Sequence, residues 1–191
     1  AGLEPGRDSL GFDLAWASRE GTGLRDAWLK GFARLPDTAV LEARFTESGI
    51  PLDSLRWSFN TGHRIRVDTA GISFMDVRLA NAAQMVRLQG RAGNERDSQL
   101  ALQFGNFRLE TLQWLLEPMG LRATGVTNGD VTIISALKNP RGFASLRIDK
   151  LSLNDDLLGD AEINADWQPE ARRLHTDSRI IYQGNAGTNI P

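Results

Sequence analysis

The residues best suited to chemistry in this 191-residue chain are two histidines, a few paired carboxylates and a glycine-flanked serine, and their spacing assembles no reaction centre. His63 and His175 are the only imidazoles, and neither has a second histidine or a carboxylate at metal-ligand spacing nearby. Both are expected to face solvent or to sit in turns. The run Gly21-Thr22-Gly23-Leu24-Arg25-Asp26 begins like a dinucleotide fingerprint but lacks the third glycine and a surrounding strand–helix–strand unit, so it reads as a loop. Ser73, in Gly71-Ile72-Ser73-Phe74, lacks the closing glycine of a nucleophile elbow. Asp155-Asp156, and Asp53 with Glu47, have the composition of glycosidase carboxylates, yet nothing nearby would orient them, and adjacent aspartates after Asn154 favour a turn. Leu35-Pro36-Asp37-Thr38-Ala39 resembles a sortase signal but lies too early in the chain to be one. Trp16, Trp57 and Trp167 could stack on sugars, but each falls in phase with apolar neighbours, which favours a core or groove lining. The expectation is a protein without a catalytic centre, cofactor or metal.

The elements behind these residues are strands. Apolar residues alternate with polar ones from end to end: Leu10, Phe12, Leu14; then Leu41, Ala43, Phe45; then Leu55, Trp57, Phe59; then Ile65 and Val67. Val77 and Leu79, Val86 and Leu88, and Leu100, Leu102 and Phe104 continue the pattern, as do Val131 and Ile133, Leu146 and Ile148, and Ala161, Ile163, Ala165 and Trp167. This period of two predicts roughly ten to thirteen short, mostly antiparallel strands, each with one buried face. Turns are expected at Ser48-Gly49, Thr61-Gly62, Asn128-Gly129, Asn139-Pro140-Arg141-Gly142, Asn154-Asp155-Asp156 and Leu158-Gly159-Asp160. The apolar phase slips between Ile148 and Leu151, which predicts a bulge at Asp149-Lys150. Two segments read as short helices. One is 110–120, ETLQWLLEPMG, stopped by Pro118 and Gly120; the other is 24–35, where Leu24, Trp28, Phe32 and Leu35 share a helical face despite Gly31.

Composition bounds the remaining choices. With 22 basic and 24 acidic side chains and alternating rather than clustered arginines (Arg64, Arg66, Arg87, Arg91), the chain has no field for nucleic acid. The absence of cysteine excludes a disulfide scaffold and thiolate chemistry. No apolar run approaches the roughly 20 residues of a membrane helix, and the first residues do not form a signal peptide. No linker or composition shift divides residues 1–191, which read as a single β unit.

Over residues 54–185 the sequence resembles a known family. The segments VRLQG, SQLALQFGNFRLETLQWLLEPMG, TGVTNGDVTII, KNPRGF and LSLNDDLLGDAEINADW occur in the order found in TamB-like proteins, the AsmA-like bridge proteins of the Gram-negative envelope. That resemblance implies a periplasmic protein anchored in the inner membrane and reaching the outer membrane, of which this chain is a middle piece. It implies a fold that is mainly β, a curled antiparallel sheet forming an open apolar groove of the β-taco type, with one or two short helices. It also implies a role in moving phospholipid between the membranes, in outer-membrane protein assembly, or both, with a BamA-like barrel as partner of other parts of the parent protein.

Alternation and resemblance meet in what covers the apolar face. A curled single sheet would leave it open, and ten to thirteen strands about 4.8 Å apart would give roughly 50–60 Å of groove for phospholipid acyl chains. The residues expected to line it are Val86, Leu88, Leu100, Leu102, Phe104, Val131, Ile133, Leu146, Ile148 and Ile163. A closed sandwich or solenoid that binds glycan or protein is the alternative, and exposed aromatics on the polar phase would mark it. Open sheet edges would also favour an edge-to-edge homodimer.

Overall fold

The computed structural model describes residues 9–16, 27–52, 55–182 and 185–190. It is a single antiparallel sheet with one short helical interruption, as the alternation predicts. The strands are β1 (Ser9–Trp16), β2 (Ala27–Asp37), β3 (Val40–Leu52), β4 (Leu55–Phe59), β5 (Arg64–Asp68), β6 (Gly71–Asn81) and β7 (Gln84–Gly93). They continue as β8 (Gln99–Arg108), β9 (Ala123–Ile134), β10 (Arg141–Leu153), β11 (Asp156–Gln168), β12 (Arg173–Tyr182) and β13 (Asn185–Ile190). Neighbours in sequence are neighbours in the sheet, except where β4 and β5 lie end to end between β3 and β6. Ile50 pairs with Trp57 and Ala43 with Ile65, so β4 and β5 act as one long strand broken at residues 60–63. The topology is an antiparallel meander, which needs no crossover connection.

Bulges bend this sheet, and side chains from adjoining strands close their hydrogen bonds. Register slips in β6 between Phe74 and Val77, in β8 between Phe104 and Phe107, and in β10 between Ile148 and Leu151. Each slip contains one residue at positive φ: Asp76 (50°), Asn106 (48°) and Lys150 (54°). The Asn106 N–H donates to Asn128 Oδ1 at 2.8 Å, and the Lys150 N–H donates to Asp160 Oδ1 at 2.9 Å. At the β6 bulge, Asn60 Oδ1 accepts from the Arg78 N–H and its Nδ2 donates to the Asp76 carbonyl, both at 2.9 Å. These bonds replace ladder bonds that the extra residue displaces. The bulge expected at Asp149-Lys150 is therefore present.

They also explain two expectations that fail. Asn128-Gly129 is not a hairpin turn but the middle of β9, where Gly129 pairs with Phe104 and Leu146. Leu158-Gly159-Asp160 likewise lies inside β11. In both, the side chain beside the glycine caps a bulge on an adjacent strand, and the glycine takes a φ (135° and 112°) closed to other residues. A Cβ at Gly129 would be driven into the Ser145 carbonyl oxygen. Ser48-Gly49 is also strand, within β3. The turn expected at Asn139-Pro140-Arg141-Gly142 falls earlier, at residues 136–138, where the Lys138 and Asn139 N–H groups donate to the Ser135 carbonyl, and Arg141-Gly142 already open β10. Thr61-Gly62 and Asn154-Asp155 are turns, the latter with both residues at positive φ (49° and 72°), as a tight hairpin requires.

The helix expected over 24–35 is strand β2 from Ala27 onward, and Leu24 lies outside the described residues. A spacing of four, as between Trp28 and Phe32, suits a strand as well as a helix, because four is twice the strand period. Pairing on both sides, with β1 and β3, decides the matter. Gly31, which weakens a helix, suits the strand: it sits between Phe12 and Phe45, whose rings meet edge-on at 6.1 Å over it. The second expected helix is present, reduced to one turn, α1 (Gln113–Leu116), between 3-10 turns at Leu109–Leu112 and Glu117–Met119. It ends at Gly120, in the left-handed conformation (φ 71°).

Gly129→Ala is expected to destabilise the fold by at least about 2 kcal/mol, because it combines a forbidden φ with a backbone collision. Gly120→Ala, at positive φ but with open space around it, is expected to cost about 1 kcal/mol. Urea denaturation of the two variants checks the order; equal midpoints would contradict this account of the glycine.

Candidate functional site

Register places all ten expected lining residues on one face of the sheet. Residues directly opposite one another in an antiparallel pair project to the same side, so the pairings can be read across strands as rungs. One rung runs Leu79–Val86–Phe104–Gly129–Leu146–Ile163 and the next Val77–Leu88–Leu102–Val131–Ala144–Ala165. A third, Ala33–Ala43–Ile65–Phe74–Gly90–Leu100–Ile133–Gly142–Trp167, crosses from β2 to β11 without a charged residue. Ile148 lies on a fourth, Phe107–Thr127–Ile148–Ala161–Ile180. Because each bulge inserts one residue, the apolar phase is restored beyond it and the face stays continuous.

Burial on this face is polarised along the strands. At the end that carries α1, Trp57, Phe107, Ile148, Leu151 and Ala161 are buried. There Leu109, from the 3-10 turn, packs on the cluster of Ile148, Leu151 and Ala161. Trp57 on β4 reaches Phe107 on β8, with ring centroids 5.8 Å apart, although β6 and β7 lie between them. Three strand spacings put their backbones about 14 Å apart on a flat sheet, so the two large side chains lean toward each other across the β6–β7 turn. Elsewhere the face is only partly covered. Of the ten lining residues, Ile148 is buried and the other nine are partly exposed. At the end opposite α1, Leu10, Leu41, Val67, Trp167 and Leu174 are exposed. Among the described residues no second sheet lies over this face.

The opposite face carries charge in an ordered network. Glu42, on β3, accepts from Arg34 Nε at 2.9 Å and lies 3.5 Å from Arg66. Asp68 accepts from Arg91 and from the Ala70 and Gly71 N–H groups, while Arg91 also donates to Ser73 Oγ at 2.7 Å. Hydrogen bonds from Arg34 and from Arg91 hold the Glu42 and Asp68 carboxyls, respectively, below the usual carboxylate range, against the opposing effect of burial. Ser73 is thus an acceptor in an ion-pair network on a strand, not a nucleophile in a turn.

The remaining chemical candidates are scattered. His175 is exposed on β12, as expected. His63 is not: it is 1% exposed, at the break between β4 and β5. Its Nε2 accepts from the Phe45 N–H at 3.0 Å, its Nδ1 is bonded to the Asn60 carbonyl, and its ring packs against both Phe45 and Phe59, which also touch each other. Burial is what lowers its pKa most. The sequence offers no signal for this, since the amide it serves lies 18 residues away. Asp155 and Asp156 are exposed at the β10–β11 hairpin, Glu47 is exposed on β3, and Asp53, the Gly21–Asp26 run and the Trp16 side chain lie outside the described residues. Trp57 is fully buried and Trp167 is 37% exposed, both on the apolar face. Among the described residues no group of three or more histidine or acidic side chains could hold a metal ion. Comparison of the chain with protein-family models, curated proteins and solved structures finds no match.

The network on the charged face sets an acid limit. Carboxyls whose pKa is lower folded than unfolded stabilise the fold fully above the unfolded value, about 4, and lose that contribution as pH falls through the folded value. Urea midpoints are expected to fall more steeply below about pH 4 than between pH 7 and 5, where buried His63 takes up its proton on unfolding, and the acid fall should be shallower in a Glu42→Gln/Asp68→Asn double variant. A wild-type midpoint unchanged down to pH 3 would contradict the assignment.

Proposed function

We propose that this chain is a non-catalytic section of a periplasmic bridge protein whose apolar sheet face shelters phospholipid acyl chains in transit between the inner and outer membranes. The observation that supports this most directly is the partly exposed state of nine of the ten lining residues on a face continuous across the central strands. An apolar surface of that extent needs a guest or a cover. Shelter of one acyl chain is energetically substantial: at about 0.8 kcal/mol per methylene, a sixteen-carbon chain in water costs on the order of 12 kcal/mol.

Such a role requires a continuous floor rather than converging polar groups. Lateral movement along the first three rungs then meets only apolar side chains and glycines, so no single position holds the lipid in a deep well. In this reading the contact between Trp57 and Phe107 lies on one side of a curled trough, and α1 with its flanking turns forms the wall at one end of the strands. The order of motifs shared with TamB-like proteins supports the envelope location, and assembly of outer-membrane proteins beside a BamA-like barrel belongs to the same proposal for the parent protein.

Native mass spectrometry of the purified chain, followed by organic extraction, tests the reading. Co-purifying phospholipid is expected, and Leu102→Arg, on a partly exposed rung, should abolish it while the variant still melts cooperatively. A lipid-free chain that also refuses added phospholipid would overturn the proposal. So would unfolding of Leu102→Arg by several kcal/mol, the mark of a charge placed in a closed core.

A further inference from the structure

The seam between β3 and the β4–β5 strand lacks a backbone ladder over part of its length. Backbone pairing joins β3 to β5 at residues 41–43 and to β4 at residues 50–52, and the stretch between them has no ladder. Two side chains bridge the gap. Ser48 Oγ accepts from the Phe59 N–H at 2.9 Å, and His63 Nε2 accepts from the Phe45 N–H at 3.0 Å. Since Nε2 is an acceptor, the neutral ring carries its proton on Nδ1, which donates to the Asn60 carbonyl. The imidazole is buried, with its ring against the touching rings of Phe45 and Phe59.

We propose that His63 is a proton-sensitive latch on this seam: a proton added to Nε2 turns its acceptor into a donor facing the Phe45 N–H, and the β3 side of the apolar face loosens. The groups packed around the ring decide how readily this happens. From β3, Arg44 opposes a second positive charge; from β6, Asp76 favours it; the Asn60 carbonyl also favours it, and β4 contributes only the uncharged Phe59 ring. On its own strand, Arg64 follows directly. Burial outweighs the favourable contributions, so the ring stays neutral at pH 7 and takes a proton only below the usual histidine range. The functional consequence, a groove wall that opens as pH falls, rests on the lipid-groove reading; the latch itself does not.

Amide exchange of the whole 191-residue chain, followed by NMR between pH 7.5 and 5.0 and expressed as protection factors, tests the latch. Protection at Phe45 and Phe59 is expected to fall about tenfold per pH unit below the His63 midpoint, while the β8–β9 ladder keeps its protection. His63→Gln supplies an acceptor that does not titrate, so its Phe45 protection should not change with pH. If that variant does not fold, the wild-type His63 ring titration serves instead, since its midpoint must coincide with the onset of Phe45 exchange. A uniform loss of protection over the whole sheet, or constant Phe45 protection through the His63 titration, would overturn the proposal. Phospholipid binding at pH 7.5, measured on the same sample, separates failure of the latch from failure of the groove.

Discussion

The period of two, kept in phase across a dozen hydrogen-bonded pairings, is the constraint on which everything else rests. A slip of one residue in any pairing would turn a strand's apolar set to the charged side, so every irregularity must be compensated. The bulges in β6, β8 and β10 each add one residue and so restore the phase, and Asn60, Asn128 and Asp160 close the bonds that the added residue displaces. Glycines stand where strands press too close for a Cβ, at Gly31, Gly90, Gly129 and Gly159. Bulges and glycine kinks are also what bend a sheet, so the devices that preserve the apolar face also let it curve.

Burial is uneven over that face. Where α1 and its flanking turns sit, Trp57, Phe107, Ile148 and Ala161 are withdrawn from water and behave as an ordinary core. Toward the opposite end the same rungs continue with less cover, through Leu100 and Ile133 to exposed Leu174 and Trp167. Each half-covered side chain contributes less than a buried one, at about 25 cal/mol per Å2 removed from water. The ladders, the Arg34–Glu42 pair between β2 and β3 and the Arg91–Asp68 pair that reaches across β6 tie the strands together on the other face without drawing on that apolar surface. This division suits a protein whose apolar face has work besides folding.

Much of this was legible in the sequence because strand alternation is local and repeated. The shared face of the ten apolar residues, the bulge at Asp149-Lys150 and the Asn154-Asp155 hairpin follow from neighbours within a few positions. What was not legible depends on partners far along the chain. Trp28 and Phe32 fit helix and strand equally, and only pairing with β1 and β3 decides between them. Asn128-Gly129 carries a turn's conformational signature, but the need for positive φ comes from Ser145 on the next strand. His63 reads as a surface residue until the fold brings the Phe45 amide against it, and the contact between Trp57 and Phe107 spans three strands.

The central claim, that the apolar face alone meets acyl chains, is tested most directly by photocrosslinking from adjacent positions on opposite faces. A benzophenone side chain at position 102 faces the apolar rungs, and the same group at Gln103 faces the charged side, one residue away on the same strand. With phospholipid present, crosslinks to lipid are expected at 102 and absent at 103. Equal labelling at both positions, or none at 102 in a folded chain, would contradict the account.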